Sequence, residues 1–217
     1  MANIAVAFGF RHVGYVEGAA PTYGLRRRKI ALGNTNPVFH GDPIQDVATT
    51  GYIQQGITTP ASGLFSGVFS HCEYFSVSQQ KKVRSNYWPG SDAQFDVDAF
   101  VIDTVGAMFL AACDGSPIVL ANVDRNIDFT IATGGSATPT TGQGNTIAQL
   151  SGALLKSSSI TTTATLPFRI YKLYSDDVVP NAPVLGATSP NGADNSTNFN
   201  WAIVTFNSVS FKQLTSL

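Results

Sequence analysis

Along the chain, apolar residues come in short runs that either alternate with polar ones or stand together, with Gly, Pro, Asn and Thr between the runs. Nowhere is the 3.6-residue spacing of an amphipathic helix sustained. Strand side chains point to opposite faces in turn, so these runs predict strands. They are expected near Ala5–Phe10, Lys29–Leu32, Pro37–Phe39, Gly51–Ile57, Leu64–Phe75, Val83–Trp88, Phe95–Ile102, Ala107–Ala111, Ile118–Ala121, Ile127–Ala132, Ile160–Leu166, Phe168–Tyr174 and Trp201–Phe211. Asn145 to Leu155 admits one helical turn. Many short strands with turn signals between them make an all-β chain, an antiparallel β-sandwich or barrel.

The connecting segments refine that picture. Residues 133–145 and 190–200 are rich in Gly, Thr, Asn and Ser and read as loops projecting from the surface. Residues 11–36 mix small residues, prolines and a basic run, which suggests an extended N-terminal arm. In "HGDP" Gly41 permits a positive φ, Pro43 fixes its own, and Asp42 is free to bond turn amides. "YWPG" closes a strand with Trp88 at its rim. At the far end Trp201, Ile203, Val209 and Phe211 share one parity, while Ala202, Val204 and Phe206 make the other face apolar as well. Such a strand belongs inside a sheet and pairs with segments far earlier in the chain.

A chain of 217 residues and 23.0 kDa fits one β-rich domain spanning 1–217, able to bury about 70% of its unfolded surface. Disulfide staples are then unnecessary, and Cys72 and Cys113 read as buried thiols of a reducing compartment. Only 12% of residues are charged, against about 25% in ordinary soluble domains. A surface of small neutral polar groups suits a protein packed among neighbours. The net charge of -1 and pI near 6.2 leave no overall basic footprint for nucleic acid. The longest apolar run is broken by Asp103 and Thr104, which argues against a transmembrane helix. "MANIAVAFGF" lacks a basic n-region, so no export signal is expected and the sequon at Asn195 is a chance match.

Candidate chemistry is sparse. "GVFSHCEYF", Gly67 to Phe75, sets His71 beside Cys72, but alternation turns the two to opposite faces, and only the fold could bring His12 or His40 near the thiol. Cys113 precedes an Asp114-Gly115 turn and is explained by packing. Asp96 and Asp98 lie about 7 Å apart on one strand face, a spacing that a metal or a glycosidase pair could use. With Phe95, Val97, Ala99 and Val101 forming the apolar face, they read instead as the wet one. No metal-ligand spacing appears, and the Gly-rich run at 134–145 lacks the lysine of a phosphate loop. Arg26, Arg27, Arg28 and Lys29 are the one basic cluster, with Tyr23 close by. An acidic protein surface is its expected partner ahead of nucleic acid. No enzyme activity and no cofactor are expected.

Several motifs occur together in order: "VFHGDPI" (Val38–Ile44), "GVFSHCEY" (Gly67–Tyr74), "NYWPGSD" (Asn86–Asp92), "DAFVID" (Asp98–Asp103) and "ATLPFRIYKL" (Ala164–Leu173). In this and in its opening residues the chain resembles small capsid-associated proteins of tailed bacteriophages. The resemblance implies a head decoration or cement protein, made in the host cytoplasm and bound to the outer surface of the virion head. Its partner would be the major capsid protein, and the chain itself a trimer or dimer. Arg26, Arg27, Arg28, Lys29 and Trp88 are then the expected contact residues. The other readings are a tail or fibre-base adaptor, and a carbohydrate-binding β-sandwich with Trp88, Tyr87 and Trp201 as sugar platforms.

Overall fold

β-Branched and aromatic side chains fill the apolar runs, and a pleated, half-buried surface is where they fit best. The computed structural model describes residues 2–18, 24–56, 65–131, 144–145, 150–178 and 189–210. Its strands are β1 (Arg11–Tyr15), β2 (Arg26–Ile30), β3 (Val38–Phe39), β4 (Pro43–Asp46), β5 (Ile53–Gln55), β6 (Phe65–Ser76), β7 (Lys81–Ser85), β8 (Tyr87–Trp88), β9 (Val97–Ile102), β10 (Ala107–Ala112), β11 (Asn126–Thr130), β12 (Gly144–Asn145), β13 (Leu150–Ser151), β14 (Leu154–Thr161), β15 (Phe168–Leu173) and β16 (Trp201–Phe206). A 3-10 turn at Leu120–Asn122 and the short α1 (Tyr174–Val178) complete the described elements. The chain is all-β, as its patterning predicts.

Two six-stranded antiparallel sheets carry the fold. The first runs β1-β10-β16-β15-β11-β14; the second runs β2-β9-β6-β4-β5, with β7 added to β6. Each sheet curls far enough for one parallel bridge to cross it, from Cys113 just after β10 to Leu155 of β14 in the first and from Lys29 of β2 to Tyr52 just before β5 in the second. Neither closes into a barrel, so the architecture is a sandwich.

The larger core lies on the inner face of the first sheet, where Phe109, Phe129, Phe168, Ile170, Val204 and Phe206 meet Phe65, Val68 and Ile102 from the second. A smaller core fills the opposite face of the second sheet with Ile44, Ile53, Phe69, Cys72, Trp88 and Val101. Strand β6 serves both cores because its register shifts twice, near Ser66 against β4 and near Ser70 against β9. Each extra residue flips the parity that follows. Hence Val68 faces one core, while Phe69 and Cys72 face the other.

The turn at Gly41 joins the sheets. Its N–H donates to Phe69 O and its carbonyl accepts from Phe10 N, each at 2.9 Å. With φ at +88° and a Cβ position 3.1 Å from Phe10 N, glycine is required there.

Several expectations change. The segment 11–36 is not a free arm: β1 pairs with β10, and β2 with β9. Its alternation and its charges find partners within the chain. Ala5–Phe10 forms no strand, although Ala7, Phe8 and Phe10 are buried. Residues 190–200 are not a projecting loop. Ala193, Asp194, Asn195 and Asn200 are buried, because the segment bonds distant parts of the chain: Gly192 N donates to Asn3 Oδ1 at 2.9 Å, Asn3 Nδ2 to Asp194 O at 2.8 Å, and Ile118 N to Asn200 Oδ1 at 2.9 Å. Ile118–Ala121 holds a 3-10 turn, and the Val83–Trp88 run splits at Asn86 into β7 and β8, which pair with different strands. β14 starts at Leu154, and Asn145 and Leu150–Leu155 carry no helix. The 133–145 loop lies outside the described residues except Gly144–Asn145. β16 is internal, between β10 and β15, but stops at Phe206.

Candidate functional site

Cys72 is fully buried, and its thiol donates to Tyr87 O at 3.4 Å. Burial, with Glu73 adding to it, pushes the thiol up to about 12. His71 faces away from it, its ring stacked on Phe100 at 4.4 Å and 9°. A thiol held neutral with no base is not a nucleophile. Cys113 is likewise raised by burial, and its Sγ lies 3.3 Å from Asn200 Oδ1.

His40 and His71 flank the bulged Ser70, through Ser70 O at 2.7 Å and Ser70 Oγ at 3.2 Å. No carboxylate hydrogen-bonds either imidazole among the described residues, so a base with an orienting partner is missing. His12 sits elsewhere, against Gly14 O at 3.1 Å. No group of potential metal ligands assembles among the described residues.

The carboxylate pair is occupied. Asp96 accepts from Tyr52 Oη at 2.7 Å and Leu32 N at 3.0 Å, and these bonds hold it below the usual carboxylate range. Asp98 stands 2.6 Å from both Arg27 and Lys29. Burial pushes its carboxyl up, and the two cations outweigh that and lower it. Arg26 pairs with Asp103 at 3.3 Å, and Arg28 bonds Asp46 and Ser66. All four cations of the basic run therefore pair with acids of this chain, Asp98 serving both Arg27 and Lys29. Composition offered no sign of this, since the acids lie far away in sequence and only the β2–β9 register brings Asp98 opposite Lys29.

Trp88 is not at a rim. It is fully buried, its ring edge-on to Tyr74 at 5.4 Å and its Nε1 donating to Asn34 O at 3.2 Å. Pro89-Gly90 closes the strand as expected, with Gly90 at φ +82°, but the ring turns inward. It therefore cannot serve as a contact residue or a sugar platform. Trp201 is held between Phe8 and Tyr174 at 4.9 and 5.1 Å, and Tyr87 stacks on Phe39 at 5.6 Å. The set of three platforms does not assemble.

Apolar surface remains in the second sheet, just past β2 and just before β9. Leu32 is 49% and Phe95 63% exposed. The Leu32 N to Asp96 bond ties their segments together. Beside them runs a groove of about 510 Å³ lined by Ala31, Asn34, Val47, Tyr52, Ile53 and Gln54. Patterning missed this surface because Phe95 shares the parity of the buried Val97, Ala99 and Val101; the chain leaves the strand before reaching it. A second cavity, of about 330 Å³, lies beside β7.

No family model, curated protein or solved structure matches the chain.

Proposed function

We propose that this chain is a non-enzymatic virion protein that binds the outside of a phage head and stabilises its coat lattice, as a trimer or dimer at lattice symmetry points. The observation that carries the reading is the exposed Leu32–Phe95 pair beside its groove, on a chain short of charge. Burying two large apolar side chains per copy gives a contact of a few kcal/mol. Repetition over the lattice converts it into firm attachment by avidity. The ion-paired β2 strand keeps that edge of the sheet from recruiting other strands. The motif series resembling capsid-associated proteins agrees with this role.

The test is quantitative mass spectrometry of purified particles, with rebinding of the chain to undecorated heads. Many copies per head are expected, and Phe95→Asp should lower occupancy at least tenfold while leaving the melting temperature unchanged. A few copies located at the tail would favour an adaptor, and full occupancy by the Phe95→Asp protein would remove this edge from the attachment surface.

A further inference from the structure

Strands β2, β9, β6 and β7 lie side by side, and one face of that row changes character along its length. At one end Leu25, Val68 and Ile102 pack into the larger core. Past the Ser70 bulge the same face carries His71 and Glu73 of β6, directly opposite Phe100 and Asp98 of β9. Register sets Arg27 and Lys29 of β2 opposite Phe100 and Asp98 from the other side, and Arg84 of β7 opposite Glu73. The stacked His71 and Phe100 rings and the ion pairs of Arg27, Lys29 and Lys82 show that these side chains share one face.

Charges do not balance there. Arg27 and Lys29 share the single carboxylate of Asp98, and Lys82 takes Glu73, each at 2.6 Å. Arg84 acts electrostatically on Glu73 and His71 but forms no ion pair among the described residues. Four cations therefore stand around two acids, on a chain whose net charge is -1. The side chains of Arg27, Lys29 and Lys82 are 62, 46 and 68% exposed, against 16% for Asp98 and 25% for Glu73. Positive charge stands in solvent above recessed carboxylates.

The arrangement of signs selects the partner. The cations form two flanks, on β2 and β7, three strand spacings or about 14 Å apart, with the acids between them. A phosphate backbone crossing from flank to flank would run over Asp98 and Glu73. Nor does a base find a free stacking platform, since His71 and Phe100 are stacked on each other at 4.4 Å and 9°. A protein surface can instead set carboxylates over the flanks and hydroxyl or amide donors over the centre.

We propose that this face docks an acidic protein surface, with Arg27 and Lys29 as one point of attachment and Lys82 and Arg84 as the other. It is assayed on the free chain, so its failure and the failure of head attachment through Leu32 and Phe95 are distinguishable.

Fluorescence anisotropy of the full chain with a labelled peptide of alternating glutamate and serine is the experiment, beside single-stranded DNA and a lysine–serine peptide with matched numbers of charges. At about 20 mM salt, where screening reaches only beyond about 20 Å, the glutamate peptide should bind, the DNA more weakly, and the lysine peptide not at all. Raising the salt to about 300 mM should weaken binding at least tenfold. Lys82 and Arg84 are exposed, so Lys82→Gln with Arg84→Gln should leave the melting temperature unchanged while weakening binding about tenfold. Arg125→Gln, an exposed cation beside the first sheet, should change nothing. No binding of the glutamate peptide, tighter binding of DNA, equal binding of the lysine peptide, or the same affinity loss in Arg125→Gln as in the double variant would each overturn the assignment.

Discussion

Asp42 sits fully buried in the turn that joins the two sheets, accepting from Phe39 N and Gln55 Nε2, each at 2.8 Å. Burial dominates its environment and pushes its carboxyl from 3.8 up to about 7, although the bonds from Phe39, Ser151 and Gln55 favour the charge. The folded pKa is raised. Between about 4 and 7 the folded chain therefore holds a proton that the unfolded chain has released, and the associated stability, complete below pH 3.8, is lost as pH rises through about 7. At about 1.4 kcal/mol per pH unit, this interval corresponds to roughly 4 kcal/mol. Asp42→Asn keeps an acceptor for Phe39 N and is neutral at every pH. Urea unfolding of both proteins from pH 4.5 to 8.5 isolates the effect, because the histidine contributions, with His12 and His71 lowered chiefly by burial, are common to both. The variant should gain on the parent steadily as pH rises towards 7 and keep an advantage of a few kcal/mol above it. Parallel stability curves, or an advantage that grows towards acid, would refute the argument.

Three further outcomes follow from the packing. Cys72→Ser should cost about 1–2 kcal/mol in urea unfolding, since the hydroxyl can still donate to Tyr87 O but is buried among apolar groups, and head binding should be unchanged. Deleting residues 1–29 removes β1, all of β2 except Ile30, and Phe10 from its stack on Phe168 at 4.4 Å, so the product should show no cooperative thermal transition by circular dichroism. Ending the chain after Asp194 removes β16 from between β10 and β15 and should likewise abolish the transition; a melt near the full-length temperature would show that β16 is dispensable.

The chain's sequence determined its class and the character of its best strands. The apolar run of Trp201–Phe206 and the alternation of Val97–Ile102 are local information, because side-chain direction in a strand depends only on parity. The same holds for Gly41, whose positive φ a turn requires, and for a thiol beside a histidine that faces the other way. What tertiary structure decided was everything set by pairing. The bulge at Ser70 in β6 sends Val68 and Cys72, which share one parity, into different cores, and no parity count along one strand can reveal an extra residue opposite another. Strand register aligned Arg27 and Lys29 with Asp98, turning an apparent basic arm into an ion-paired sheet edge. The polar 190–200 segment became interior because Asn3 bonds Gly192 and Asn200 bonds Ile118, both partners far away in sequence, and Trp88 turned inward because Tyr74 and Asn34 meet it there. Composition records which groups a chain carries, but their partners are fixed by contacts that exist only once distant strands have paired.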